Sequence, residues 1–129
     1  MSCYVASKAR HAVWWRALRA AGMPIVAPWI DSPLNAADAP EPSADQWRNH
    51  WDGCISAAAE ADICLFVCND GEQACGALIE AGAALASGKQ VFVVSPYAWS
   101  FAHHPRARTF GSLEAAVGSI MARKAGERP

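Results

Sequence analysis

The sequence predicts an α/β fold built on a parallel sheet with helices on both faces. Strand-like and helix-like segments alternate along the chain, and the central runs ICLFVC (63–68) and VFVV (91–94) are continuously apolar. Strands covered on both sides read that way, because neither side of the pleat meets water. Hydrophobic residues make up 53% of the 129 and charged residues 18%, enough for one packed domain over 1–129.

Residues 3–6 (CYVA) read as the first strand, with Ser7 as N-cap of a helix from about Lys8 to Ala21. Val13/Trp14, Ala17/Leu18 and Ala21 recur at helical spacing, which puts them on its inner face. Gly22 stops the helix, and Pro24 opens an extended stretch, PIVAPWI, as the second strand. Segment 31–43 (DSPLNAADAPEPS) is a loop long enough to suggest a functional role. Ser43 caps a helix to about Ala61, and Asp62, expected to cap that turn, opens strand 63–68. Asn69-Asp70-Gly71 signals a turn before a helix from about Gln73 to Ser87, closed by Gly88. Strand 90–95, an irregular stretch 96–105 with His103 and His104 exposed, and a short strand near 107–110 follow. The last helix, capped by Ser112, turns Leu113, Ala116, Val117, Ile120 and Met121 inward, and its tail frays from Lys124.

Five such strands suggest a flavodoxin-like, Rossmann-like three-layer sandwich with a parallel sheet in the order 2-1-3-4-5. Ligands of such sheets bind beyond the carboxyl ends of the strands, where the order reverses. The loops Tyr4 to Arg10, Asn69 to Glu80 and Ser95 to His104 would then carry the site.

Composition narrows the partners. A formal net charge of −1 gives no electrostatic footprint for nucleic acid or an anionic membrane. No apolar run approaches a bilayer span, and MSCYVASKAR lacks a signal peptide's apolar core, so a cytoplasmic protein is expected. The five cysteines form no C-x-x-C pair and no zinc spacing with the histidines; they read as reduced core thiols, with no metal. Six tryptophans leave apolar surface for a homo-oligomer, a dimer or higher. Trp14, Trp47 and Trp51 fall at helical spacings and read as core or interface residues.

Glu80 stands alone. From Ala74 to Gly88 the chain reads ACGALIEAGAALASG, with no other charged residue. A helix so poor in charge should be largely covered, and an ionised carboxylate there is costly unless partnered or facing a cavity. At the mouth of a parallel sheet that is the place of a nucleophile or ligand anchor. Near the end of strand 1, Ser7, Lys8, Arg10 and His11 could form an anion site. Trp29, at the end of the second strand, could stack on a base or line the core edge.

The segment from Asp62 to Pro96 resembles the nucleoside 2-deoxyribosyltransferase superfamily, including the nucleoside 5′-monophosphate N-glycosidases. Its G-x-x-x-E-x-G-x-A helix reads here Gly76-Ala77-Leu78-Ile79-Glu80-Ala81-Gly82-Ala83-Ala84, followed by Gly88-Lys89 and an apolar strand. The opening Tyr4-Val5-Ala6-Ser7 is similar to the family's first strand end. The resemblance implies a flavodoxin-like sheet, no cofactor, and cleavage or transfer at an N-glycosidic bond of a nucleoside or its 5′-monophosphate. It implies that Glu80 is the nucleophile and that Tyr4 donates a hydrogen bond to orient it. Gly76, one turn before Glu80, would let a sugar ring approach, and Ser7, Lys8, Arg10 and His11 would hold a 5′-phosphate. The chain departs from the pattern at Ala74, where transferases carry an acid and the nucleotide hydrolases often a serine. Asp52 is out of register for the acid serving the base, leaving Asp70 or Glu72 as substitutes from the loop. Two alternatives stay open: a nucleotide-sensing module without catalysis, and an NAD-cleaving hydrolase. The absence of a Ser/Thr-rich phosphate loop after strand 1 speaks against a flavodoxin-type electron carrier.

Overall fold

A computed structural model describes residues 1–35 and 38–127. Four strands, β1 (Cys3–Ala6), β2 (Ile63–Val67), β3 (Gln90–Val94) and β4 (Ala107–Thr109), form one parallel sheet in the order β1-β2-β3-β4. The helices are α1 (Ala12–Ala20), α2 (Ala44–Glu60), α3 (Cys75–Ala86) and α4 (Leu113–Gly126). The expected α/β architecture with a parallel sheet is present, with four strands instead of five.

The missing strand is the stretch PIVAPWI. Only Ile25 bridges β1, in parallel with Cys3, where Cys3 N–H donates to Pro24 O and Val26 N–H to Cys3 O. Pro28 lacks a ladder donor and has a fixed φ, and the chain coils there into a 3-10 turn, Pro28–Asp31. The bridge still lies on the outer side of β1, so the chain reverses its direction of travel across the sheet at β1 as expected. Arg19 locks the turn back onto α1 through two hydrogen bonds of 2.8 Å to Asp31, and these hold the Asp31 carboxyl below its ordinary range.

The first helix also differs. A 3-10 turn, Ala9–His11, precedes α1, and Ser7 caps neither; its Oγ accepts from the Trp15 indole at 2.7 Å. Trp15 is the buried residue of α1, whereas Val13 and Trp14 are exposed at 65% and 48%. The later start rotates the inner face by one residue. Ser43, by contrast, closes a full capping box with Gln46 at the head of α2, and Ser112 caps α4. On α4, Ala116 and Ile120 are buried, and Leu113, Val117 and Met121 pack against the core. The end of α4 does not fray at Lys124, because its Nζ donates to Gly22 O at 2.6 Å. Asp62 caps no turn; its carboxylate accepts from the Ser2 amide at 2.8 Å, joining the starts of β1 and β2. Residues 36 and 37 of the expected loop and tail residues 128 and 129 lie outside the described ones.

The pleat assigns the layers. Arg123 of α4 sits over the Phe92 ring, so the face carrying Phe92 and its register neighbours Leu65 and Arg108 belongs to α4. Tyr4, Cys64 and Phe66 are one step out of phase and face the other side, where α2 and α3 pack on each other and across β1, β2 and β3. There α3 buries Ala77, Glu80, Ala81 and Ala84, but Leu78 and Ile79 are exposed at 37% and 53%. The charge-poor helix is therefore covered on one side only. Cys3, Cys54, Cys64 and Cys68 are buried free thiols, and burial pushes Cys3 up to about 12; Cys75 breaks the expectation and is exposed. No helix among the described residues is long and apolar enough to cross a membrane.

The capping box makes α2 sensitive at its start. Ser43→Ala is expected to cost about 1 kcal/mol in urea unfolding without changing the slope. A loss under ~0.3 kcal/mol would show that the cap contributes little.

Candidate active site

The carboxyl ends of β1 and β2, the facing sides of α2 and α3, and the Trp29 turn enclose a cleft of about 290 Å³. That is at the small end of ligand pockets, which run to about 1,000 Å³. Its wall includes Ser7, Lys8, Trp29, Glu72, Gly76 and Glu80, six of the ten residues the sequence nominates. The wall also includes Trp47, Trp51 and Cys54, read from sequence as core or interface, and His50, to which the sequence assigned no role. Trp47, His50, Trp51 and Cys54 stand at i, i+3, i+4 and i+7 on α2, one helical face turned toward α3. That spacing was the available signal, but it does not distinguish a cavity wall from a core.

Glu80 is 6% exposed, and no hydrogen bond or ion pair reaches its carboxylate among the described residues. Burial alone pushes it up to about 8. Burial therefore favours its protonated form. The expected phenol donor is not engaged: the Tyr4 hydroxyl is fully buried and hydrogen-bonds to nothing among the described residues. Tyr4 is not among the lining residues and lies on the sheet face turned toward α2 and α3. The Tyr4 hydroxyl is a fully buried polar atom without a partner, which costs about 1–3 kcal/mol.

Gly76 has a different immediate duty from the one expected. A Cβ there would sit 3.2 Å from Cη2 of Trp51, so the bare backbone admits the indole that forms the opposing wall. Trp29 is pinned in place, its indole N–H donating to Val5 O at 2.8 Å. Burial lowers the pKa of His50, which favours its neutral form, and its ring packs edge-on to Trp47 and Trp51. Lys8 lines the cavity, and its side chain makes no hydrogen bond or ion pair among the described residues.

Arg10 and His11 do not line the cavity and are tied to a loop acid. Both meet Glu72 Oε2, at 2.6 and 2.7 Å, while Oε1 accepts the Asn69 amide at 2.8 Å. Burial works against the Glu72 carboxylate, but the Asn69 amide, His11 and Arg10 outweigh it and hold its pKa below the ordinary value. Glu72 is thus spoken for as well, and an ionised, triply bonded carboxylate is a poor proton donor. Asp70 is turned away from the wall and accepts from the Tyr97 hydroxyl at 3.2 Å. Neither loop acid is in place to serve a leaving base.

The fold and cleft define an α/β protein with a buried carboxyl group that shares a small cleft with aromatic side chains. By sequence the chain matches no family model and no curated protein. By structure it is similar to a 2-deoxyribosyltransferase from Bacillus psychrosaccharolyticus, with a TM-score of 0.66 at 19% identity over 93% of this chain and 96% of that one. It is also similar to the CMP N-glycosidase BcmB of Clostridium botulinum, with a TM-score of 0.55 at 16% identity over 95% and 99%. The chain therefore has the fold of these two proteins, the fold implied by the Glu80 helix and its Gly-Lys exit.

The unpartnered groups have a stability signature. A carboxyl near 4.5 when unfolded and about 8 when folded binds more protons in the native state between those values. Stability from this group is therefore present below the lower value and is lost as pH rises, by roughly 3 kcal/mol between pH 4.5 and pH 7. Urea unfolding of Glu80→Gln is expected to lack that decline and to exceed the parent in stability at pH 8. Parallel pH curves would show that Glu80 has an ordinary environment. Tyr4→Phe, which deletes the orphan hydroxyl, is expected to gain about 1 kcal/mol; a loss of similar size would reveal a partner for it.

Proposed function

We propose that this protein cleaves or transfers at the N-glycosidic bond of a nucleoside or its 5′-monophosphate, with Glu80 as nucleophile. The observation that carries this reading is the buried carboxyl of Glu80, left without a partner at a cavity and facing Trp47 and Trp51. A structural glutamate stabilises its surroundings, whereas this one costs stability, as groups kept for function do. The shared fold with a 2-deoxyribosyltransferase and a CMP N-glycosidase supports the same class of chemistry.

In this mechanism the sugar supplies what the free cavity lacks. Hydroxyl groups of a bound furanose donate to Glu80, favour its ionised form and lower its pKa on binding. The carboxylate attacks C1′, the C1′–N bond breaks, and its electron pair leaves with the base, which takes a proton from water. Water or a second base then attacks C1′ of the glycosyl–Glu80 ester and releases the carboxylate. Trp29, Trp47 and Trp51 supply flat apolar surfaces on which a base can stack.

The second reading is a binding module that senses a nucleotide without cleaving it. Three observations favour it: Ala74, the engagement of Glu72 with three donors, and the lowered pKa of His50. Without a proton donor for the base, about 10²–10⁴-fold in rate is forgone.

Incubation with a panel of nucleosides, their 5′-monophosphates and NAD, followed by chromatography of free base, separates these readings. Base release is expected from a nucleoside or monophosphate, with kcat/KM rising with pH through about 8, the value of the free carboxyl. Glu80→Ala should lower the rate by at least about 10³-fold, as loss of a nucleophile does. Saturable binding with no release selects the sensor, and release that persists in Glu80→Ala rejects Glu80 as nucleophile.

A further inference from the structure

We propose that the cleft selects nucleosides whose base already carries a positive charge, a pyridinium or a ring-quaternised purine, over those with a neutral base. The inference rests on the N-glycosidic reading and names the substrate class within it.

A neutral base leaves C1′ with an extra electron pair and needs a proton, and the described wall is poor in groups to give one. Of its two acids, Glu80 is the nucleophile, and Glu72 is a carboxylate held by the Asn69 amide, His11 and Arg10. Asp70 is joined to Tyr97 outside the wall, and burial keeps His50 toward its neutral form. A cationic base needs no proton. As Glu80 attacks C1′, the C1′–N⁺ bond breaks, its electron pair neutralises the ring, and the base leaves uncharged. The roughly 10²–10⁴-fold that a general acid contributes is then not forgone.

Such a substrate also supplies the charge that Glu80 lacks. Its positive nitrogen is bonded to C1′, the atom the carboxylate must reach, so the two charges come together in the reacting complex. An opposite charge within about 4–6 Å lowers the pKa of a carboxyl by about 1–3. The cation thus favours the ionised nucleophile, and by linkage ionised Glu80 tightens the cation by the same factor. Trp29, Trp47 and Trp51 add indole, the aromatic side chain that attracts cations best. Lys8 is the one cation among the described lining residues, but its charge is not felt at Glu80, where burial is the one cause of the raised pKa. It is felt instead at Cys68, a thiol raised by burial and then by Glu72, which Lys8 opposes. The remaining titratable groups are Cys54 and Cys75 in the wall, and Tyr4 and Cys64 on the sheet face turned toward α3. Burial raises Cys54 and Cys64, whereas Cys75 is exposed.

The test uses the full chain carrying Cys75→Ser, which removes the exposed thiol as a source of pH dependence. The probes are the riboside of 3-carbamoylpyridinium and its uncharged C-glycoside isostere, the riboside of benzamide. Binding is followed by stopped-flow quenching of tryptophan emission, before base is released. At pH 9 the cation is expected to bind at least about tenfold tighter than the isostere. That ratio should shrink as pH falls through about 8 and Glu80 takes up its proton. Adding Glu80→Gln should leave a small ratio that no longer changes with pH. Equal affinities at every pH, or a pH dependence that survives Glu80→Gln, overturns the proposal. If Glu80→Gln does not fold, the pH dependence of the ratio in Cys75→Ser decides. Base release, with each rate divided by the uncatalysed rate of the same riboside, should favour the pyridinium over uridine by at least about 10²-fold. No release from any riboside, with the binding ratio intact, defeats the N-glycosidic reading alone. Release from neutral nucleosides without a binding ratio defeats the selectivity alone.

Discussion

The organising constraint of this molecule is an acid buried without a partner. Burying an ionised carboxylate costs several kcal/mol, and the chain meets that cost by keeping Glu80 protonated instead of pairing it. Its surroundings enforce the choice. α3 is built from small apolar residues, β1 and β2 lie beneath it, and Trp51 presses against the bare backbone of Gly76. No hydrogen bond from any of these reaches the Glu80 carboxylate among the described residues. The same packing that raises the proton affinity of Glu80 leaves an open space beside it, so the cost and the cavity have one origin.

Charges elsewhere around the cleft are handled in the opposite way. Glu72 is as deeply buried as Glu80, yet it collects three donors and stays ionised. The two carboxyls lie eight residues apart in sequence, and their environments separate them into a charged anchor and an uncharged reserve. Pairs of titratable groups driven apart in this manner are how one fold assigns different tasks to identical chemistry. Asp70, joined to Tyr97, and Asp31, joined to Arg19, play structural parts outside the wall.

What the sequence made legible was local. The Ser43 and Ser112 caps, the glycine-closed α3 and the continuously apolar β2 and β3 follow from short-range rules, and each is present. Glu80 was legible too, because its isolation is a property of consecutive residues. The second strand was lost because Pro28 ends it after one bridge, a balance that apolar content does not reveal. The inner face of α1 was misplaced because Trp14 and Trp15 are adjacent and the helix begins later than Ser7 suggested. The clamp on Glu72 joins residues 61 and 62 positions apart, and no spacing rule in a single sequence reaches that far. The tryptophan face of α2 was visible as a period, but whether it met core or cavity depended on Gly76 across the gap.

The proton on Glu80 can be observed directly. With glutamate labelled at Cδ, the carbon resonance of Glu80, assigned by its loss in Glu80→Gln, would be followed from pH 4 to pH 10. Titration centred near 8 in the free protein, moving downward when a nucleoside binds, is the expected result. A midpoint near the ordinary 4.5 would mean that the carboxyl has a donor or full hydration in solution, and would contradict the account.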